Sequence, residues 1–358
     1  MKKITFSILL MACSICLYSQ EFLWGANFST KFDNREYSKM EASPSMTSYG
    51  AFLTPYVGLK FHENHKLILN ADIARYFGNT PAKYSWELQF YYQCDSKHFD
   101  IFAGICPSAI LKGDYNIAFV NDNILFFDRS IEGVTFRYKN DRGFSEVCLD
   151  WLSMRRPGKD EIIALYSASN YAFSWFNIGY SFTGIHYSWT DEALFGTTED
   201  FQFYPYISGN FSHLLALDQC YIKAGWLQTF QRDRVNINTP TYPGGAMIDL
   251  KLQKWGVGLY NSLYIGKALM PYYYNSPTPN KEIYGGWLYS GDLFYNTDSG
   301  LYNKLEIYWD KKINKFLNFK LRAIMHIDGF GHTGWQQLAT INVNIDSQII
   351  KSKGKKRR

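Results

Sequence analysis

The stretch Leu301-Tyr302-Asn303-Lys304-Leu305-Glu306-Ile307-Tyr308-Trp309-Asp310 alternates, with Leu301, Asn303, Leu305, Ile307 and Trp309 on one side and Tyr302, Lys304, Glu306, Tyr308 and Asp310 on the other. After a polar turn over Lys311 to Lys315 the pattern returns: Leu317, Phe319, Leu321, Ala323, Met325 and Ile327 oppose Phe316, Asn318, Lys320, Arg322 and His326. A period of two over this length is a strand pattern, because successive side chains of an extended chain point to opposite faces. The two strands form a hairpin that is apolar on one face and charged on the other.

The same pattern recurs along the chain. Phe22, Trp24, Ala26 and Phe28 share a face, and residues 31 to 47 read as polar and irregular. Ser48 to Phe61 and Leu67 to Phe77 flank a short connection. Trp86, Leu88, Phe90 and Tyr92 then oppose Glu87, Gln89, Tyr91 and Gln93. Asn140-Asp141-Arg142-Gly143 supplies tight-turn chemistry between strands at Asp128 to Lys139 and Phe144 to Ser153, in which Val147, Leu149 and Trp151 oppose Glu146 and Asp150. Glu161 to Tyr171 pairs with Trp175 to Ser188, and residues 189 to 201 read as loop. Ile222, Ala224 and Trp226 oppose Lys223, and Ile248, Leu250 and Leu252 oppose Asp249 and Lys251. The longest connection is Lys267 to Ser299. His332 reads as lying in a short loop, and Trp335 to Asp346 as the last strand.

These segments number 16, within a range of 14 to 18, and their connections alternate between short and longer. An even number of amphipathic strands with short turns at one end and longer loops at the other predicts an all-β, antiparallel up-and-down transmembrane barrel with both termini in the periplasm. The 28 Tyr, 27 Phe and 10 Trp suit strands and interfacial girdles. A mean hydropathy of -0.26 fits a chain whose apolar residues alternate with polar ones, and no stretch after the leader reaches the roughly 18 consecutive apolar residues of a spanning helix.

Residues 1 to 19 read as a signal peptide: Lys2 and Lys3 precede an apolar run from Ile4 to Leu17, and cleavage is expected after Ser19. A rival reading takes Leu10-Met11-Ala12-Cys13 as a lipoprotein box that leaves a lipidated Cys13. Residues 20 to 346 are the expected barrel and 347 to 358 a basic tail. Of 37 Lys and Arg, two fall in the leader and six in the tail, which leaves 29 against all 32 acidic residues, a net charge of −3 for the body. No folded part carries the basic surface that nucleic-acid binding needs, so no nucleic-acid partner is expected. Cys94, Cys106, Cys148 and Cys220 have neither metal-site nor redox spacing, and no metal or cofactor is expected.

The lumen-lining, solute-contacting residues predicted from the alternation are Glu87, Gln89, Glu146, Asp150, Lys223, Asp249, Lys251, Lys304, Glu306, Asp310, Lys320 and Arg322. Their mixed signs predict a wet, weakly selective lumen. Lys304 and Glu306 stand next to Lys320 and Arg322, so mutual neutralisation across adjacent strands explains them as well as solute contact does. The loop aromatics Tyr272, Tyr273, Tyr274, Tyr284, Trp287 and Tyr289 are read as packing a loop together rather than stacking on sugars.

Two resemblances follow from particular residues. The leader ending at Ser19-Gln20, Phe32-Asp33-Asn34-Arg35-Glu36-Tyr37, Leu53-Thr54-Pro55-Tyr56-Val57-Gly58-Leu59 and Leu149-Asp150-Trp151 resemble a family of outer-membrane barrel proteins from Bacteroides-like bacteria, from which no activity carries over. His186-Tyr187-Ser188 resembles the His-x-Ser arrangement of the outer-membrane lipid A deacylase family, which implies Ser188 as nucleophile and His186 as its base. Trp189 and Thr190 depart from the Asn and small residue typical there, and the chain is much longer than that small barrel. The sequence is therefore read as a porin-like channel for small polar solutes in contact with outer-membrane lipid, and not as an enzyme. A lipid A-modifying hydrolase using His186 and Ser188, or a non-conducting surface anchor, are the alternatives.

Overall fold

The computed structural model describes residues 21–38, 45–78, 84–121, 129–189, 196–235, 237–276 and 283–347. The expected leader and almost all of the expected basic tail lie outside the described residues. Sixteen strands follow one another: β1 (Glu21–Tyr37), β2 (Met46–Phe61), β3 (His65–Tyr76), β4 (Tyr84–Asp95), β5 (Phe99–Pro107), β6 (Ser130–Asn140), β7 (Gly143–Ser153) and β8 (Glu161–Ala172) make one half. The other half is β9 (Phe176–Ser188), β10 (Thr197–Asn210), β11 (Gln219–Asp233), β12 (Gly244–Lys254), β13 (Val257–Gly266), β14 (Leu301–Lys312), β15 (Leu317–Asp328) and β16 (Gly331–Asp346). Each pairs antiparallel with its sequence neighbours, and β1 closes on β16 in a register from Gly25↔Asp346 to Tyr37↔Gly334. Closure leaves no strand edge unpaired, which a backbone surrounded by hydrocarbon requires. The all-β barrel expected from the alternation is the observed fold.

Burial is inverted relative to a water-soluble domain. Trp86 is 71% exposed and Phe90 57%, both on the outer face, whereas Gln89 between them is 1% exposed and faces inward. The opening hairpin obeys the same rule, with Ile307 exposed and Lys304 and Glu306 buried inside. Turn chemistry fixes the short connections. Asn140 Oδ1 accepts from the backbone N–H of Arg142 and Gly143 at 2.9 and 3.1 Å. Between β12 and β13, Trp255 and Gly256 both take positive φ, 53° and 85°, the mirror-image turn whose twist matches a two-residue hairpin.

Three segments expected as loop are strand. β1 runs to Tyr37, β10 begins at Thr197, and His332 lies on β16. The apolar alternation stops before the strands do. Beyond the belt the outward side chains become polar and bond sideways, as where Thr47 Oγ1 donates to Asn34 Oδ1 and Asn34 Nδ2 donates to Gln337 Oε1, each at 2.6 Å. A period of two in hydrophobicity reports the part of a strand that meets an apolar phase, not the whole strand.

Two long connections fold back inside the barrel. Ala118, Phe119 and Val120 of the β5–β6 connection pack with Leu269, Met270, Tyr272, Tyr284, Leu288, Tyr289, Phe294 and Tyr295 of the β13–β14 connection. The same core takes in inward side chains of β8 to β14, including Ala164, Tyr187, Tyr204, Leu227, Met247, Tyr264 and Tyr302. The long-loop half of the lumen therefore holds an apolar core on that side. Tyr272, Tyr284 and Tyr289 are buried in it, whereas Tyr274 and Trp287 remain exposed.

Candidate functional sites

The twelve predicted lumen residues all lie on the inward face of their strands. Most are already engaged with protein. Glu306 accepts two hydrogen bonds from Arg322, at 2.8 and 2.7 Å, and Lys304 stands 3.9 Å away. Asp310 and Lys320 are 4.0 Å apart. Glu87 accepts from Ser130 Oγ, which also receives a bond from Gln89 Nε2 at 2.8 Å. Asp150 accepts from the N–H of Glu132 at 2.8 Å. Lys251 lies 5.8 Å from the Tyr308 ring centre, within cation–π range.

Glu146, Lys223 and Asp249 anchor a strap. Glu146 on β7 accepts from the N–H groups of Lys112 and Gly113 at 3.0 and 2.5 Å, from Tyr115 Oη at 3.2 Å, and from Arg137 Nε at 2.9 Å. Four strands round the wall, Lys223 on β11 pairs with Asp114 at 2.7 Å and with Asp249 at 3.0 Å. The chain from Ser108 to Asn121 thus bridges the lumen. Gly113 permits the close approach, because a Cβ there would meet Ala168 Cβ at 2.3 Å. Burial pushes the Tyr115 phenol up, and the neighbouring Glu146 carboxylate adds to this, so the phenol stays a donor. A cavity of about 590 Å³ lies under the strap, lined by Asp114, Tyr221, Lys223, Asp249, Lys251 and Tyr260. The sequence reading missed Asp114 and Arg137. Arg137 was legible by counting from Phe136 on the same strand, but Asp114 lies in a connection where no period exists.

His186 and Ser188 are on the outer wall at the long-loop end of β9, half-buried, on the face that carries Ile178 and Phe182 lower down. Along a strand, residues two apart are roughly 6.6 to 6.8 Å apart on the same side. Across the barrel wall His186 is registered with Glu199 on β10, and Ser188 with Thr197. Glu199 shares the outward face, so an imidazole has a hydroxyl beside it along one strand and a carboxylate beside it across the next. In this structure Glu199 is held by Arg234, at 2.5 and 3.3 Å, and neither His186 nor Ser188 has a side-chain hydrogen bond among the described residues. Glu199 escaped sequence reading because it lies in the stretch taken as loop. Among the described residues no group of His, Cys, Asp and Glu is arranged to hold a metal ion.

A closed sixteen-strand antiparallel barrel, apolar outside and charged within, belongs to the outer-membrane type of β-barrel. Residues 20–186 match the lipid A 3'-O-deacylase-type family, a stretch that ends on His186. That match to a family of enzymes overturns the reading of the chain as a non-enzyme, for which the length of the barrel and the residues after Ser188 had been the reasons. No curated protein sequence matches the chain. Among solved structures, OprB of Pseudomonas putida superposes with a TM-score of 0.54 at 9% identity, covering 92% of this chain and 96% of that one. A loop L8 deletion mutant of OmpT, an outer membrane protein of Vibrio cholerae, superposes with a TM-score of 0.52 at 8% identity, covering 91% and 99%. At these identities the likeness is one of fold.

Proposed function

We propose that this chain is an outer-membrane barrel that hydrolyses an ester-linked acyl chain of a lipid lying against its wall, the lipid A type being the substrate class that the family match suggests. The observation that carries this reading is the outward-facing placement of Ser188, His186 and Glu199 on one patch of β9 and β10 at the long-loop rim. Ser188 Oγ attacks the ester carbonyl as His186 takes its proton. The imidazolium then returns that proton to the leaving alcohol, and a water molecule, deprotonated by the same histidine, releases the acyl group from Ser188. Glu199 turns from Arg234 to His186 and orients the ring. With both termini in the periplasm, this rim faces the outer leaflet. Expressing wild-type and Ser188→Ala protein in the same cells and comparing their lipid A by mass spectrometry tests the reading; identical acylation patterns would end it.

A second reading has its own support. Charged residues, Lys223, Asp249 and Lys251 among them, line the cavity beneath the strap. Passage of small polar solutes through this lumen is measured as conductance in planar bilayers, and the Asp114–Lys223 contact is then the constriction. A silent bilayer and no solute leak from liposomes would remove it.

A further inference from the structure

The outer wall carries a groove that the hydrolytic patch does not use. It lies at the long-loop end of β6 and β7, has a volume of about 530 Å³, and is lined by Glu132, Trp151, Leu152, Met154, Arg156 and Lys159 together with Ser153. We propose that this groove is a subsite for a phosphorylated membrane lipid, with an acyl chain on the Trp151 side and a headgroup phosphate on Arg156 and Lys159. The proposal rests on the acyl-hydrolase reading for its biological sense but not for its test.

Three observations point to this occupant. The register of β7 on β8 slips between Trp151 and Ser153, and at this bulge two consecutive large apolar side chains, Trp151 and Leu152, are exposed instead of one. Bulges re-aim side chains in this way. Next, the chain reverses over Pro157 and Gly158, with Arg156 and Lys159 bonded to each other through their backbones at 2.8 and 3.3 Å. The reversal sets two cationic side chains next to one another, and among the described residues neither has a carboxylate partner. A guanidinium and an ammonium above an apolar floor match an amphiphile whose charged group is a phosphate. Glu132, the one acidic lining residue, leaves the lining with a net positive charge.

The third observation is continuity with the hydrolytic patch. Trp151 is registered with Ile163, Ile163 with His186, and His186 with Glu199. These outward side chains form one row across four strands. Adjacent strands lie roughly 4.7 to 4.9 Å apart, so the groove floor is about 10 Å from His186. A lipid with several acyl chains bridges that distance: one part of the molecule rests in the groove while an ester of another reaches Ser188.

The test uses the full chain in nanodiscs, with lipid A and lipid A stripped of its phosphates as probes. Arg156→Gln/Lys159→Gln, on an exposed reversal outside the barrel wall, is expected to weaken binding of the phosphorylated lipid about tenfold and to leave the stripped lipid unchanged. Trp151→Ala is expected to weaken both. Ser188→Ala is expected to bind both like wild type while losing hydrolysis. Wild-type affinity of the Arg156/Lys159 variant for phosphorylated lipid A overturns the groove proposal whatever the chemistry does. Retained hydrolysis by Ser188→Ala overturns Ser188 as the nucleophile and leaves the groove to be judged on binding alone.

Discussion

The inner and outer faces of this barrel both carry charge, but they treat it differently. Inside, Arg137 lies between Asp100 and Glu146 at 2.9 Å from each, Lys223 between Asp114 and Asp249, and Arg322 against Glu306. On the outer wall, His186 and Ser188 have no side-chain bond and Arg156 and Lys159 no ion partner, among the described residues. Buried charges that are paired describe a scaffold, since an unpaired one would cost too much to keep there. Polar groups left unpaired where the wall meets lipid are not explained by stability, because moving them to apolar residues would cost the fold nothing. On the proposed reading, the chemistry lies on the outer wall and the paired charges inside serve as bracing.

The largest expected effects break the outer half of this contrast. Replacing Ser188 by Ala removes the proposed nucleophile, and kcat for deacylation is expected to fall on the order of 10⁶-fold, as for other serine nucleophiles acting with a paired base. Glu199→Gln keeps the shape but not the charge that holds an imidazolium. A loss of roughly 10⁴-fold is expected in purified protein, mostly in kcat. If Glu199→Gln turned over normally, Glu199 would be only the partner of Arg234, and the orienting role would have to be dropped.

Inside, the sharpest test is Glu146→Ala. The buried carboxylate serves the buried Arg137 and three groups of the strap, and its loss leaves the guanidinium half compensated by Asp100. About 3 to 5 kcal/mol of stability should be lost, measured as the urea midpoint of the barrel in detergent. Release of Lys112 and Gly113 should also raise solute leak through liposomes carrying the variant. An unchanged midpoint would mean that the strap is held by its apolar end alone, where Ala118, Phe119 and Val120 sit. Deacylation should be unaffected, since the strap and the outer patch share no side chain.

Legibility in the sequence followed the same boundary between phases. Where a strand has lipid on one side and charge on the other, as in Leu301 to Asp310, alternation shows both the strand and its faces. At Asn34 to Tyr37 and Thr197 to Glu199 the outward side chains are polar, the period vanishes, and the strand is hidden though the ladder continues. That is why Glu199 went unseen while His186 and Ser188, the two ends of one His-x-Ser motif, stood out. The strap was hidden for another reason: its position depends on Asp114 reaching Lys223, 109 residues away, a pairing that no local pattern encodes.

The smallest expected effect closes the comparison from the inner side. Asp310 and Lys320 face each other at 4.0 Å near the short-turn end, each about one third exposed, and Lys320 also lies 5.4 Å from the Tyr308 ring centre. Water and salt reach both groups, so their attraction is screened and the order imposed on the lysine side chain offsets what remains. A double-mutant cycle of Asp310→Ala and Lys320→Ala should give a coupling under about 1 kcal/mol that shrinks further at high salt. Glu306→Ala with Arg322→Ala, a pair one third of the strand deeper with two bonds under 3 Å, should give a larger coupling that salt barely changes. Equal couplings would mean that water penetrates the lumen to the depth of Glu306, and the bracing attributed to the inner charges would then reduce to surface pairing.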